Sequence, residues 1–169
     1  MHIKSNYSLR TLNTFGIDSR ADYYVELKSI EELENTAEHE LLLHNKILIL
    51  GGGSNILFSG DFKGIVIHPQ FLGIEQIDED KKSVLIRVGC AVNWDDFVGY
   101  AVKNNLGGIE NLSIIPGNVG ASPIQNIGAY GVEVKDVIEK VEGFYLSKKV
   151  FSVFTNDDCH FGYRTSFFK

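Results

Sequence analysis

Residues 111–132 read NLSIIPGNVGASPIQNIGAYGV, which is 22 positions without a charged side chain. Glycine, proline, asparagine and glutamine interrupt the stretch too often for a membrane-spanning helix. Glycine lets a backbone approach a ligand closely or take a positive φ, and converging N–H groups bind an anion without a cationic side chain. The stretch therefore indicates a loop that can hold a phosphate group.

A second glycine cluster, Gly51, Gly52 and Gly53, directly follows the apolar run KILIL at residues 46–50. The run is short and contains β-branched residues, which predicts a buried strand that leads into a turn. One interpretation is that the glycines serve only turns and tight packing in a loop-rich β domain. The presence of two clusters favours the other interpretation, a cradle for a nucleotide or cofactor.

The common phosphate-binding signatures do not fit either cluster. The turn GGGSNI at residues 51–56 has Ile56 where a dinucleotide fingerprint needs its last glycine. The sequence also lacks the Gly-Lys-Ser/Thr ending of a P-loop. A nucleotide-binding fold other than the Rossmann or P-loop type is therefore indicated.

The first seventy residues predict a small α/β lobe. Residues 21–27 alternate as a strand does, and Ser29 with Glu32 forms a capping box that starts a helix. The predicted buried face of this helix carries apolar residues at a spacing of four, namely Leu33, Ala37 and Leu41. Strands over residues 46–50 and 64–68 complete the lobe.

The second half of the chain predicts a helix followed by antiparallel strands. The acidic stretch at residues 71–82 indicates a lobe boundary or an exposed hairpin, and Asn93 caps a helix that runs to about residue 104. The strands are predicted over residues 83–88, 137–146 and 149–154, and in a segment through 159–161. The fold class is therefore α+β, with lobes at 1–72 and 73–169.

Composition and charge exclude several classes of function. The 169 residues are 44% hydrophobic and 22% charged, which is typical of a globular protein, and the net charge of −6 makes nucleic acid an unfavourable partner. Cys90 and Cys159 are too far apart for a zinc motif, and the scattered histidines predict no metal site. With no apolar leader and no long apolar run, we expect a cytoplasmic protein without a membrane partner.

Six strings occur in an order and at spacings that are specific to one family. They are LNTFG at 12–16, LGGGSNIL at 50–57, GIENL at 108–112, IPG at 115–117, GASPIQNIGAYG at 120–131 and FGYRTSFFK at 161–169. Through them the chain resembles the UDP-N-acetylenolpyruvoylglucosamine reductases, which are flavoenzymes of bacterial peptidoglycan synthesis.

The resemblance implies an FAD-binding fold of the p-cresol methylhydroxylase and vanillyl-alcohol oxidase type, with the dinucleotide between two α/β lobes. It implies that the turn at 51–57 binds the pyrophosphate, that Ser122 and Asn126 form a polar edge for the cofactor, and that Ile127 packs on the flavin ring. The implied cofactor-binding positions are Gly51, Gly52, Gly53, Ser54, Asn55, Ile56, Leu57, Pro116, Gly117, Gly120, Ser122, Pro123, Asn126, Ile127, Gly128 and Gly131.

The reaction implied by the resemblance is reduction of FAD by NADPH, followed by hydride transfer to the enolpyruvyl group of a nucleotide-sugar substrate. Arg164 matches the active-site arginine of the family, whose planar guanidinium can bind the substrate carboxylate with two parallel hydrogen bonds. Tyr163, Tyr130 and Gln125 are the implied substrate contacts. Without the resemblance, Arg164 would be interpreted as an ordinary surface arginine at a strand end and Tyr163 as a half-buried strand tyrosine.

The family continues into a separate substrate domain, so we expect this chain to be the FAD-binding portion, monomeric and inactive alone but able to bind some flavin. One alternative is another FAD-dependent oxidoreductase of the same fold, such as a sugar or aryl-alcohol oxidase. Neither glycine loop contains a histidine for covalent flavin attachment. The other alternative is a non-catalytic nucleotide-binding module.

Overall fold

The computed structural model, which describes residues 2–169, divides the chain into two units. The first unit extends to Phe71 and includes Leu146–Lys149, and the second comprises Leu72–Tyr145 and Val150–Lys169. The division of the sequence into FAD-binding lobes at 1–72 and 73–169 stays a prediction.

A four-stranded sheet forms the first unit, with the order β1-β2-β4-β3. Its strands are β1 (Ile3–Ser8), β2 (Arg20–Leu27), β3 (Ile47–Ile49) and β4 (Phe62–Pro69). β4 is parallel to both β2 and β3, whereas β1 is antiparallel to β2. The carboxyl ends of β2, β3 and β4 therefore lie at one edge of the sheet.

Two short helices connect β2 to β3, namely α1 (Ile30–Ala37) and α2 (Glu40–His44). The predicted cap is confirmed, because Ser29 Oγ accepts the Glu32 N–H at 3.1 Å. The Glu32 carboxylate reaches back one residue further than in a standard capping box and accepts the Lys28 N–H at 2.7 Å. The single helix predicted through Leu41 is wrong, because α1 ends at Ala37 and Leu41 lies in α2.

The predicted burial of the KILIL run holds on one face only, where Leu50 is buried and Leu48 packs against the core of the first unit. Ile47 and Ile49 of β3 are 38% and 53% exposed. β3 is the edge strand of the sheet, so it can be covered by a strand on one side only. The neighbouring strand β4 is central, and its residues Ile65, Val66 and Ile67 are buried.

The second unit combines one helix with three two-stranded antiparallel pairs. The polar stretch at 71–82 belongs to a hairpin of β5 (Ile74–Glu79) and β6 (Val84–Val88), and α3 (Trp94–Lys103) follows. The shorter pair is β7 (Gly128–Ala129) with β8 (Val132–Glu133), and the last is β9 (Lys140–Tyr145) with β10 (Val150–Thr155). The longest described helix, α3, has ten residues, too few to cross a bilayer.

The core of the second unit forms under α3. Asn93 caps this helix as predicted, since its Oδ1 accepts the N–H groups of Asp95 and Asp96 at 2.9 and 3.2 Å. The core residues come from α3 and from the loop that follows it: Trp94, Val98, Ala101, Ile109, Leu112, Ile127 and Val134. The helix α3 and the loop that follows it therefore share one hydrophobic core.

The strand predicted through residues 159–161 is wrong. Cys159 ends a 3₁₀ turn, Asp157–Cys159, and is buried. The Asp158 carboxylate closes this turn by accepting the N–H of Thr155 at 2.9 Å and its hydroxyl at 2.6 Å. A short aspartate that bonds the backbone in this way competes with strand formation.

Candidate functional site

The first glycine turn begins at the carboxyl end of β3. The Leu50 N–H donates to Ile67 O at 2.9 Å, and His68 Nδ1 lies 2.8 Å from Leu50 O. Because a carbonyl can only accept, His68 carries its proton on Nδ1 and donates it. β4 therefore fixes the last residue before the turn through both its backbone and a buried side chain.

Gly53 is the glycine that the first turn cannot replace. Its φ is +65°, and a Cβ at this position would lie 2.0 Å from Leu12 O. Thr14 donates its N–H to Gly53 O at 3.2 Å, so the LNTFG string and the glycine turn form one structure. At this position the packing interpretation of the glycine cluster holds, because the backbone of Leu12 leaves no room for a side chain.

Asn13 keeps the LNTFG segment in place. Its buried side chain donates to Leu9 O at 2.8 Å and to Ile17 O at 2.9 Å, and it accepts the Ile17 N–H at 3.0 Å. The loop is thus closed on itself by a single amide, which explains an asparagine there in physical terms.

The rest of the turn presents uncharged groups. Gly52, Asn55 and Leu57 are exposed, while Gly51, Ser54 and Ile56 are half-buried. No ionisable residue occurs between Leu50 and Gly60. In open α/β sheets, ligands bind outside the carboxyl ends of the strands, which is where this turn lies.

The second loop is fastened to the start of α3. Trp94 donates its N–H to Gly117 O at 3.0 Å, and Gly120 donates to Cys90 O at 3.0 Å. A Cβ on Gly120 would lie 2.4 Å from Cys90 Cβ, so here too the glycine is required by internal packing. Pro116, which directly precedes Gly117, is exposed.

Several predicted cofactor contacts lie inside the second unit. Asn126 is fully buried, donates to Gly162 O at 3.0 Å and accepts the Lys135 N–H at 3.1 Å. Ser122 and Pro123 are buried, and Ile127 belongs to the core under α3. These four side chains shape the loop from within, and their direct contact with a cofactor stays a prediction.

The structure brings Arg164 to this loop although 36 residues separate it from Gly128. Tyr163 and Arg164 occupy a tight turn in which the Gly162 and Thr165 backbones bond each other at 3.0 and 3.2 Å. Arg164 Nη2 donates to Gly128 O at 3.0 Å. Tyr163 is 85% exposed, so the interpretation of it as a half-buried strand tyrosine is wrong. Arg164 is an exposed residue in a turn, and its catalytic role stays a prediction.

A shallow groove of about 550 Å³ opens between the 3₁₀ turn at Glu110–Leu112 and the β7–β8 hairpin. Its lining residues are Glu110, Asn111, Ser113, Ile114, Ile115, Ala129 and Tyr130. Tyr130 is 90% exposed with φ +53°, and Ile114 is 84% exposed with φ +64°. The sequence pointed to Tyr130 but not to Ile114, because nothing in a residue type predicts an isoleucine with a positive φ.

The other predicted contacts are distributed along the same loop. Gln125 and Gly128 are half-buried, and Gly131 is exposed with φ +82°. A Cβ on Gly128 would lie 2.8 Å from Val132 O, so the close β7–β8 pairing requires this glycine.

Two carboxylates beside the groove are held ionised by hydrogen bonds. The pKa of Glu110 is lowered because its carboxylate accepts the backbone N–H groups of Glu110 and Gly108. The pKa of Asp95 is lowered by the Ile114 N–H and by the Ser113 hydroxyl. An anion would therefore meet these negative charges at this rim, whereas an apolar ring would meet Ile114 and Tyr130.

Comparison with known proteins identifies a consistent set of relatives. The family described as FAD binding domain matches residues 21–145. The UDP-N-acetylenolpyruvoylglucosamine reductase of Porphyromonas gingivalis is 45% identical over 169 residues, which is all of this chain and 50% of that protein. The chain thus spans about half the length of the curated relatives it matches.

Solved structures give the same picture. The crystal structure of UDP-N-acetylenolpyruvylglucosamine reductase from Thermus caldophilus superposes with a TM-score of 0.76 at 28% identity, covering 98% of this chain and 57% of that one. A VAO-type flavoprotein from Myceliophthora thermophila superposes with a TM-score of 0.59 at 15% identity, covering 80% of this chain and 26% of that one. The second likeness concerns the fold alone.

Proposed function

This chain belongs to the FAD binding domain family, and from that premise we propose that it forms the FAD-binding portion of a UDP-N-acetylenolpyruvoylglucosamine reductase. The bond from Arg164 to Gly128 O is the observation that carries the proposal most directly, because it places the proposed catalytic residue on the proposed cofactor loop. The identity of 45% to a reductase over the full length of this chain supports it.

The residues present fit a dinucleotide cofactor. FAD, when bound, supplies hydride chemistry, accepting from NADPH and giving to the enolpyruvyl double bond of the substrate. We propose that the uncharged turn at 51–57 binds the pyrophosphate with backbone N–H groups, and that the loop at 116–131 binds the rest of the cofactor. The two glycines fixed by internal packing, Gly53 and Gly120, give both loops a defined shape before any ligand binds.

The proposed role of Arg164 is to stabilise negative charge on the substrate. A guanidinium has five N–H groups, so its bond to Gly128 O leaves others for a substrate carboxylate. When hydride adds to the carbon of the double bond that is farther from the carboxylate, the electron pair left on the nearer carbon is delocalised into the carboxylate, and a proton then adds to that nearer carbon. A fixed cation stabilises this charge more in the transition state than in the substrate.

Further assignments complete the proposal. Tyr130 and Tyr163, which are 90% and 85% exposed, are proposed substrate contacts together with the half-buried Gln125. Asn126 and Ile127 are proposed to act on the cofactor mainly by shaping its loop. We also propose that the protein is cytoplasmic and monomeric and that it acts in peptidoglycan synthesis.

A titration with two flavins tests the proposed function. FAD added to the 169-residue chain should show saturable fluorescence quenching. Riboflavin, which lacks the pyrophosphate and adenosine, should bind at least about tenfold more weakly, because one well-made charged contact is worth about 1.4 kcal/mol or more. No quenching by the chain, or equal affinity for both flavins, would contradict the proposal.

A further inference from the structure

Ile114 has a backbone conformation that its residue type disfavours. It is β-branched, yet its φ is +64°, a region mainly occupied by glycine and asparagine. Its side chain is 84% exposed and lines the groove beside Tyr130. Backbone strain of this kind persists only where the surrounding structure enforces it, and it is concentrated at ligand-binding sites.

The Asp95 carboxylate enforces the conformation of Ile114. A single oxygen, Oδ1, accepts the Ile114 N–H at 2.7 Å and the Ser113 hydroxyl at 2.7 Å. Both are short bonds to an acceptor with a formal charge, which is the stronger class of hydrogen bond. Two consecutive residues are therefore held by one side chain.

Asp95 is itself held in place by the helix that carries it. It lies in the first turn of α3, and its backbone N–H donates to Asn93 Oδ1 at 2.9 Å. A negative charge is favourable at this end of a helix. Trp94 binds the same loop before and after Ile114. Its Nε1 donates to Leu112 O at 2.7 Å, and its backbone N–H donates to Gly117 O at 3.0 Å.

We propose that Asp95 is a positioning residue for FAD binding, because it holds Ile114 in the left-handed conformation from which the Ile114 side chain contacts the flavin in the groove. The inference rests on the proposed function, since it takes FAD as the ligand. Without the acceptor, Ile114 returns to a negative φ, and the backbone of residues 115–117 turns with it. The apolar wall of the groove is then lost.

The test compares three variants of the 169-residue chain by FAD titration. Asp95→Ala should weaken FAD binding about tenfold, which corresponds to the loss of hydrogen bonds to a charged group. Asp96→Ala is the matched control, because it removes the same charge from the same turn of α3 at an exposed position. Asp95→Asn keeps a neutral acceptor oxygen and should restore most of the affinity.

Two further readouts separate positioning from general stability. The absorption bands of bound FAD should shift in Asp95→Ala and not in Asp96→Ala. Amide hydrogen exchange of Ile114 in the flavin-free chain should become faster in Asp95→Ala alone. In an Ile114→Gly background, where a positive φ carries no strain, Asp95→Ala should have a much smaller effect on affinity.

The outcomes distinguish this inference from the function on which it rests. If the unaltered chain does not bind FAD, the proposed function fails and the inference fails with it. If the unaltered chain binds FAD and Asp95→Ala equals Asp96→Ala in affinity and spectrum, the positioning role alone is overturned. Slow exchange of the Ile114 amide in Asp95→Ala would also overturn it.

Discussion

The two uncharged loops reach a left-handed backbone by different means. In the turn of the first unit the position is filled by Gly53, for which a φ of +65° is unstrained. In the loop of the second unit such positions are filled by Gly117 and Gly131, and also by Ile114, Asn126 and Tyr130, with φ values of +64°, +46° and +53°. The first loop takes this conformation from a glycine, whereas the second also has it at residues that hydrogen bonds hold, as Asp95 holds Ile114 and as Asn126 holds itself through its own amide.

This difference determines how each loop responds to substitution. A change in the first loop should act through a steric clash, and a change in the second should act through lost hydrogen bonds. The predictions below test that contrast, beginning with the largest expected effect.

Gly53→Ala should destabilise the chain by about 3 kcal/mol, because it combines a steric overlap with an unfavourable φ. Urea unfolding measures the change. Two controls separate the two contributions, since a Cβ would meet nothing within 4 Å at Gly16, where φ is +63°, or at Gly60. Gly16→Ala should cost about 1 kcal/mol and Gly60→Ala less. Equal stability of Gly53→Ala and Gly60→Ala would contradict the account of the first loop.

Asn126→Ala should destabilise the chain by about 2 kcal/mol, because it leaves Gly162 O and the Lys135 N–H without their partner in a buried site. Asn104→Ala is the control, since Asn104 is exposed and its side chain also donates to a carbonyl, Tyr100 O. It should cost under about 1 kcal/mol. If both variants unfold at the same urea concentration, Asn126 does not hold the second loop.

Arg164→Lys should reduce the affinity of the FAD-loaded chain for the enolpyruvyl nucleotide sugar about tenfold, because lysine cannot form two parallel bonds to a carboxylate. Its stability should change by less than about 1 kcal/mol, as one exposed bond to Gly128 O is lost. Arg20→Lys loses a similar bond, from Nη1 to Asn6 O, and should leave substrate affinity unchanged in calorimetric titration. A similar loss of substrate affinity in Arg164→Lys and Arg20→Lys would contradict the proposed role of Arg164.

Acid should weaken the second loop through Asp95, and this effect should be the smallest. The pKa of Asp95 is lowered in the folded chain, so its contribution is complete above the ordinary value of 3.8 and is lost as the pH falls through the lower folded value. Below pH 3.8 the unaltered chain should therefore lose more stability than Asp95→Asn, whose amide does not titrate. Parallel acid unfolding curves would contradict this.

Features with local causes could be predicted from the sequence. The caps at Ser29 and Asn93 depend on one side chain and the next few N–H groups, and both are confirmed. The exposure of Ile47 and Ile49 in β3 could not be predicted, because a strand sequence does not say whether it lies at the centre or the edge of its sheet. The fold itself, of the FAD-binding vanillyl-alcohol oxidase type, is confirmed by the family match and the structural neighbours.

The candidate site shows the same limit. The glycines and Arg164 were recognised through the family resemblance, but the bond from Arg164 to Gly128 O links residues 36 positions apart and leaves no pattern in the sequence. Ile114 was missed for a related reason, since its conformation is imposed by Asp95, which lies 19 residues earlier. Asn126 was assigned to the polar edge of the cofactor, whereas its amide is occupied by the protein's own backbone.

The central claim is that the chain binds FAD through uncharged, backbone-lined loops. The most direct test is a flavin fluorescence titration of the purified 169-residue chain, repeated at low and high salt. Saturable quenching is predicted, with an affinity that changes less than about threefold between 0.05 and 0.5 M salt, because hydrogen bonds from N–H groups are screened less than exposed ion pairs. A flat titration, or an affinity that falls steeply with salt, would contradict the account.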